Sequence, residues 1–464
     1  MKRTIIKNAS AIVSCDSKDR VYKDCDILIQ GPEIMEIGKG LADPDAEIIS
    51  AQGKFIYPGL VNTHHHFFQT FARNLMAVDY PNITVIQWLD EIYEIFKMID
   101  SDAIYYSSLA AMTDLIKHGC TTAFDHQYCF PNTTDKKLVD RQMEAASLLG
   151  IRFHAGRGAN TLPREKGSTI PSSMLETTDE FLSDCERLID LYHNPAPFSM
   201  SQIVIAPCQP VNCYKETFIE SAALGRDKSV LLHTHLGEGE NELMVQRWGK
   251  RTLDWCEEIG FIGEDVWYAH GWELLPQEYK TMADSKTGLS HCPAPATLGG
   301  FPIIDIPGMR RAGMKLSLGC DGSATNDSSN LLDSLRMAYL MQCFHSKERG
   351  GSPSPYQMLK MASIEGAKMM GRNDFGSLAE GKAADLFMVD VSRLEMAGTT
   401  HDPANLLARA GVTGEVYLTM INGKVVFKEG ELTGIDEKHL FNAAEKACNS
   451  SIRDRCAVYG KNIL

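Results

Sequence analysis

The sequence contains no apolar run approaching the roughly 18 residues that a membrane-spanning helix needs, so no membrane association is expected. It also lacks a cluster of lysines and arginines. The 46 basic residues are outnumbered by 60 acidic ones, and the net charge of −14 is spread along the chain. Nucleic acid is therefore an unsuitable partner, because binding a phosphate backbone needs concentrated positive charge. CxxC pairs are missing, although 13 cysteines are scattered from Cys15 to Cys456. The opening MetLysArgThrIleIleLysAsnAlaSerAlaIleVal has neither a long apolar core nor a small-residue cleavage site. Together these absences favour reduced thiols and a cytoplasmic location. Internal repeats and low-complexity tracts are missing as well. What remains is an ordinary globular composition, 44% hydrophobic and 23% charged, suited to work on a small molecule.

At 464 residues the chain exceeds one usual core, so a large domain and a smaller one are expected. Short alternating strands with Gly/Pro punctuation fill residues 1–56, and the same texture returns over 381–430, where AsnGly (422–423) signals a tight hairpin. These two pieces are expected to form one small β-sandwich domain, with a helical extension over 431–464. Between them, residues 57–380 alternate apolar strands with amphipathic stretches such as 101–117. The strands are expected at 55–64, 120–126, 151–156, 202–207, 230–235, 266–270, 288–292 and 315–321. A doubly wound sheet fits this alternation too. The (β/α)₈ barrel is preferred because polar residues gather at the C-terminal ends of nearly all the strands, where barrel sites are built.

Within HisHisHis (64–66), alternation along a strand puts His64 and His66 on one face, where both imidazoles can ligate one metal at about 2.0–2.1 Å. His235 ends the fifth strand with Glu238 just beyond it, and His233 sits deeper as a support. His270 ends the sixth strand and Asp321 the eighth. Taken singly, each has a bland explanation: Glu238 as a loop carboxylate, Asp321 as a turn residue before glycine, His270 as a structural histidine. Five polar residues at four strand ends of one barrel are much harder to explain that way. Metal ligands His64, His66, His235 and Asp321 with an open position suit one divalent ion, zinc first and iron(II) second, which lowers the pKa of water. In this scheme Asp321 also takes the water's proton, Glu238 protonates a ring nitrogen, and His270 polarises the water.

These residues, in this order, resemble the aminohydrolase branch of the amidohydrolase superfamily over nearly the whole chain. GlySerLeuAlaGluGlyLysAlaAlaAspLeu (376–386) is similar to that branch's return into its β domain. AsnThrHisHisHisPhePheGln (62–69), LysHisGlyCysThrThrAlaPheAspHisGlnTyr (117–128), PheHisAlaGlyArgGly (153–158), HisThrHisLeuGlyGluGlyGlu (233–240) and AlaHisGlyTrpGlu (269–273) look closest to members acting on hydroxylated triazines. The 8-oxoguanine deaminases come next, differing around Gly237 and Gly271. The resemblance implies a small heterocyclic amine as substrate (a hydroxytriazine, oxopurine or pterin), hydrolytic loss of its amino or alkylamino group, and a homo-oligomer, a dimer. Strand four lacks the lysine that bridges paired metals in binuclear relatives, which implies a single metal. The stretch HisCysProAlaProAlaThrLeu (291–298) lacks the SerAsn pair usual after HisCysPro, leaving the leaving-group preference open.

Gln69, Gln127 and Arg157, just past strands one, two and three, are the substrate-contact candidates. Gln69 equally suits a helix cap, and Arg157 a carboxylate pair. Trp88 suits stacking on a planar ring or the core. His126 and His291 either line the pocket or support it. Competing functions are hydrolysis of a different bond, by opening a cyclic amide or displacing a halide, and a scaffold without catalysis. An intact metal set speaks against the scaffold.

Overall fold

In a computed structural model, residues 2–74, 85–345 and 351–453 are described. Eight parallel strands form the central sheet in sequential order. They are β1 (Leu60–Asn62), β2 (Cys120–Gln127), β3 (Arg152–Arg157), β4 (Ser201–Ile205), β5 (Leu232–Leu236), β6 (Val266–His270), β7 (Gly288–His291) and β8 (Lys315–Leu318). The ring closes where the Thr63 N–H donates to the Leu318 carbonyl at 3.2 Å and the Asp321 N–H to that of His64 at 3.1 Å. This is the expected (β/α)₈ barrel.

Strands two to eight fall where expected, but the first differs. The run 55–64 splits at Pro58–Gly59 into Lys54–Pro58, which joins a separate sheet, and β1. Proline ends the first pairing, and the chain then turns hard against β2. A Cβ on Gly59 would lie 2.1 Å from Thr121 Oγ1, so only glycine allows this approach. His64 and His66 consequently lie in extended chain just past β1, not within a long strand.

Two further sheets flank the barrel. One orders Glu33–Gly38, Cys25–Gln30, Arg3–Ala9 and Glu47–Ser50. The other runs from Glu431–Leu432 through Lys424–Lys428, Leu418–Ile421, Leu386–Asp390, Lys54–Pro58 and Ala11–Val13 to Val21–Tyr22. Ile6, Ile27 and Ile29 of the first share a core with Ile56, Leu386, Met388 and Leu418 of the second. Asn422 and Gly423 turn the hairpin at φ +47° and +71°, as the AsnGly pair suggests. Buried Arg152 of β3 pairs with Asp385 and donates to Asn422 at 2.5 Å, tying the barrel to this sheet.

The helix Ser101–Lys117 has the expected bounds and is capped by Asp100, whose carboxylate accepts the Ala103 N–H at 2.9 Å. It packs against Leu138–Leu149 and the C-terminal helix Glu437–Cys448. The extension expected over 431–464 opens instead with a strand, Glu431–Leu432, and its part 454–464 lies outside the described residues. Among the described residues no helix is long and apolar enough to cross a membrane.

Candidate active site

At the C-terminal mouth of the barrel, four donor side chains converge, all buried. The rings of His64 and His66 have centroids 4.7 Å apart. Nε2 of His66 lies 3.0 Å from Nε2 of His235 on β5, and Asp321 Oδ1 stands 3.4 Å from Nε2 of both His64 and His66. The Trp267 indole N–H bonds the Thr63 carbonyl at 3.1 Å and steadies the chain entering the triplet.

The tautomers follow from the partners. Nδ1 of His66 faces the His126 carbonyl at 2.9 Å, and Nδ1 of His235 faces that of Cys208 at 2.6 Å. A carbonyl only accepts, so each Nδ1 carries the proton and each Nε2 presents a lone pair. His233 donates from Nδ1 to the Trp267 carbonyl at 2.9 Å, so its Nε2 accepts from Nδ1 of His64 at 3.0 Å. Nε2 of His64 is therefore a lone pair too. Burial, and then the neighbouring rings, hold His64 and His66 well below the usual imidazole range, and burial lowers His235. Converging neutral nitrogens repel one another unless a cation sits among them. The donor set thus fits a divalent metal.

Glu238 stands above this cluster on a loop held by other carboxylates. Glu240 accepts the N–H groups of Gly237 and Glu238, each at 2.6 Å, while Glu273 accepts the Gly239 N–H at 3.1 Å and the Asn241 amide at 2.7 Å. Gly237 and Gly239 have φ of +71° and +95°, conformations that side chains rarely adopt. Burial first, and then the Asp321, Glu240 and Glu273 carboxylates, push the Glu238 carboxyl well above its usual range. His270 Nε2 lies 3.6 Å from Glu238 Oε1, its ring parallel to that of His235 and tilted against Trp272. Burial, followed by His64 and His235, keeps His270 neutral. His270 and Asp321 both sit at positive φ, +80° and +67°, the kind of backbone strain that collects at working sites.

The pocket over these groups is lined by Gln69 and Trp88 among others. Gln69 Oε1 accepts the Ala324 N–H at 3.3 Å and fills the space that a side chain at Gly322 would occupy. Gln127 and Arg157 do not line it, which corrects their expected placement. His126 faces inward over His235, so on a strand Gln127 must face outward. There it donates to the Cys129 carbonyl at 2.7 Å and accepts from Gln142 at 3.3 Å. Arg157, outward on β3, forms two bonds to Glu176 (2.9 and 2.8 Å) and one to Asp184 (2.7 Å), over the Phe130 ring. His126 is a support, its Nε2 donating to the Ala206 carbonyl at 2.6 Å. His291 lies off the pocket lining, since inward-facing Ser290 bonds Thr63 and strand alternation turns the next residue away. Tyr93, Tyr128 and Gln209 line the pocket without having been anticipated. Gln209, directly after ProCys (207–208) and four residues past the end of β4, carries the same strand-end signal that pointed to Gln69.

Residues 55–426 match the sequence model of the amidohydrolase family. The chain belongs to the amidohydrolase family. This amidohydrolase is 49% identical over 456 residues to hydroxydechloroatrazine ethylaminohydrolase of Pseudomonas sp. (strain ADP), covering 96% of this chain and 95% of the relative. It is 34% identical to an 8-oxoguanine deaminase of Pseudomonas aeruginosa, covering 94% and 96%. The amidohydrolase also superposes on the zinc complex of atrazine chlorohydrolase TrzN from Arthrobacter aurescens TC1. The TM-score is 0.91 at 30% identity, over 96% of this chain and all of that one.

Proposed function

We propose that this amidohydrolase hydrolytically removes an alkylamino or amino group from a hydroxylated N-heterocycle, a hydroxytriazine or else an oxopurine. The observation that carries the proposal is the convergence of three Nε2 lone pairs and Asp321 beneath an acidic Glu238. The ethylaminohydrolase and 8-oxoguanine deaminase relatives support the substrate class. His64, His66, His235 and Asp321 would hold one divalent ion, with zinc favoured by the chlorohydrolase complex. When bound, such an ion supplies the Lewis acidity that makes water nucleophilic near neutral pH.

The chain's own residues carry the proton movements. Glu238 protonates the ring nitrogen beside the carbon under attack and makes that carbon electrophilic. Asp321 takes a proton from the attacking water, and neutral His270 orients that water. Trp88 gives the heterocycle a face to stack on, and Gln69 gives it a directional partner. Residues 1–56 with 381–430 act as one unit beside the barrel of 57–380, with 431–464 as an outer extension. The working form is a cytoplasmic homodimer. Halide displacement is the second function, favoured by the similarity to the chlorohydrolase.

Metal content of the purified protein is measured together with amine release from hydroxydechloroatrazine, guanine, 8-oxoguanine and isoxanthopterin, and chloride release from atrazine. About one ion per chain with ethylamine release is the expected result. Chloride release without amine release selects the second function. A protein that retains no metal and stays inert when metal is added overturns both.

A further inference from the structure

Gln209 is buried at 3% exposure, and its backbone is pinned on both sides. The Cys208 N–H donates to Ala159 at 3.0 Å, the Cys208 carbonyl receives the His235 ring, and the Gln209 carbonyl receives the Asn212 N–H at 2.9 Å. From this fixed base the side-chain amide donates to Oε2 of Glu238 at 3.2 Å. Glu238 is held equally firmly by Glu240, and its other oxygen, Oε1, is the one 3.6 Å from His270. The two oxygens of one carboxyl therefore have unlike neighbours. An oxygen already receiving an N–H is a poor seat for the acid proton, which would point at that donor.

We propose that Gln209 is a positioning residue for the hydrolysis: by donating to Oε2 it assigns the transferable proton of Glu238 to Oε1 and fixes that oxygen toward the substrate. The inference rests on the deaminase function proposed above. In the step it serves, the water oxygen bonds to the ring carbon and the C–N electron pair departs with the nitrogen. Oε1 first protonates the ring nitrogen, is reloaded with the water proton that Asp321 took, and gives that second proton to the departing nitrogen; the ring N–H proton returns to Oε1 as the ring regains its aromaticity, so the products are the hydroxylated ring and the free amine. A misplaced acid proton hurts most when the leaving amine is strongly basic and must be protonated to depart.

The test uses Gln209→Met, which keeps the shape and removes the donor, in the metal-loaded enzyme. Its substrates are hydroxytriazines whose leaving amines are ethylamine, 2-fluoroethylamine and 2,2,2-trifluoroethylamine. The expected loss in kcat is about 100-fold for ethylamine and under about 5-fold for trifluoroethylamine, with KM within about threefold and metal content unchanged. In a Glu238→Gln background the same substitution should cost nothing further. Gln209→Glu is the second variant, should the first fail to fold. It loses activity at neutral pH and regains it as pH falls, because a protonated carboxyl can again donate. Equal loss across all three amines, additive losses with Glu238→Gln, or no loss would each overturn the assignment. A wild-type enzyme that releases none of the amines overturns the deaminase function itself, and this inference with it.

Discussion

Replacing His233 by leucine should loosen the metal without touching any ligand. His233 accepts the Nδ1 proton of His64 at 3.0 Å and is itself oriented by the Trp267 carbonyl at 2.9 Å. All three positions are buried, so no bulk solvent replaces the lost acceptor. Leucine leaves the His64 N–H buried without a partner, a cost of about 1–3 kcal/mol. His64 is then free to move its proton to Nε2 or to rotate, and either change removes one lone pair from the cluster. Removing such an outer partner typically costs 10- to 100-fold in metal affinity, or about 1.4–2.8 kcal/mol. The assay is competition for zinc between the metal-free protein and a coloured chelator, with thermal unfolding as a check on folding. An affinity within about threefold of wild type in a folded His233→Leu protein would refute the tautomer argument.

Glu238→Gln should lower kcat by about 100- to 10,000-fold with metal content unchanged, measured as amine release alongside metal analysis. Arg157→Lys should destabilise the protein by about 3 kcal/mol in denaturant melts without changing KM, because lysine cannot reproduce the paired bonds to Glu176; a raised KM at unchanged stability would restore Arg157 as a substrate contact. Burial works against charge on His118, but the Asp114 carboxylate 3.0 Å away outweighs it, so its pKa is raised above 6.5. Its contribution is then complete below about pH 6.5 and is lost as pH rises through the raised value. His118→Gln should flatten the pH dependence of stability over that range by on the order of 1 kcal/mol, and identical slopes in both proteins would contradict this.

Much of the barrel and the gathering of histidines at its mouth was legible because the signals are local. The amphipathic run marks the helix Ser101–Lys117, AsnGly marks its hairpin, and the strand-end histidines mark the mouth. The break at Pro58–Gly59 was not legible, because it depends on Thr121, more than sixty residues away, filling the space beside the glycine. Gln127 and Arg157 show a signal present but left unused. The alternation that pairs His64 with His66 also sends Gln127 to the opposite face from His126. Glu240 could not be distinguished from a solvated loop carboxylate, since its burial is set by packing around the loop and not by its neighbours in sequence.

The partners that orient the clustered imidazole rings are largely main-chain oxygens: the His126 carbonyl for His66, the Cys208 carbonyl for His235, and the Trp267 carbonyl one step behind His64 through His233. A peptide oxygen survives every exchange of the side chain attached to it. Natural variation or laboratory selection can therefore rewrite the walls of the pocket, at Trp88, Tyr93 or Tyr128, while the apparatus that aims the imidazoles passes unaltered from parent to descendant. Such a scaffold separates the inheritance of chemistry from the choice of what the chemistry is applied to.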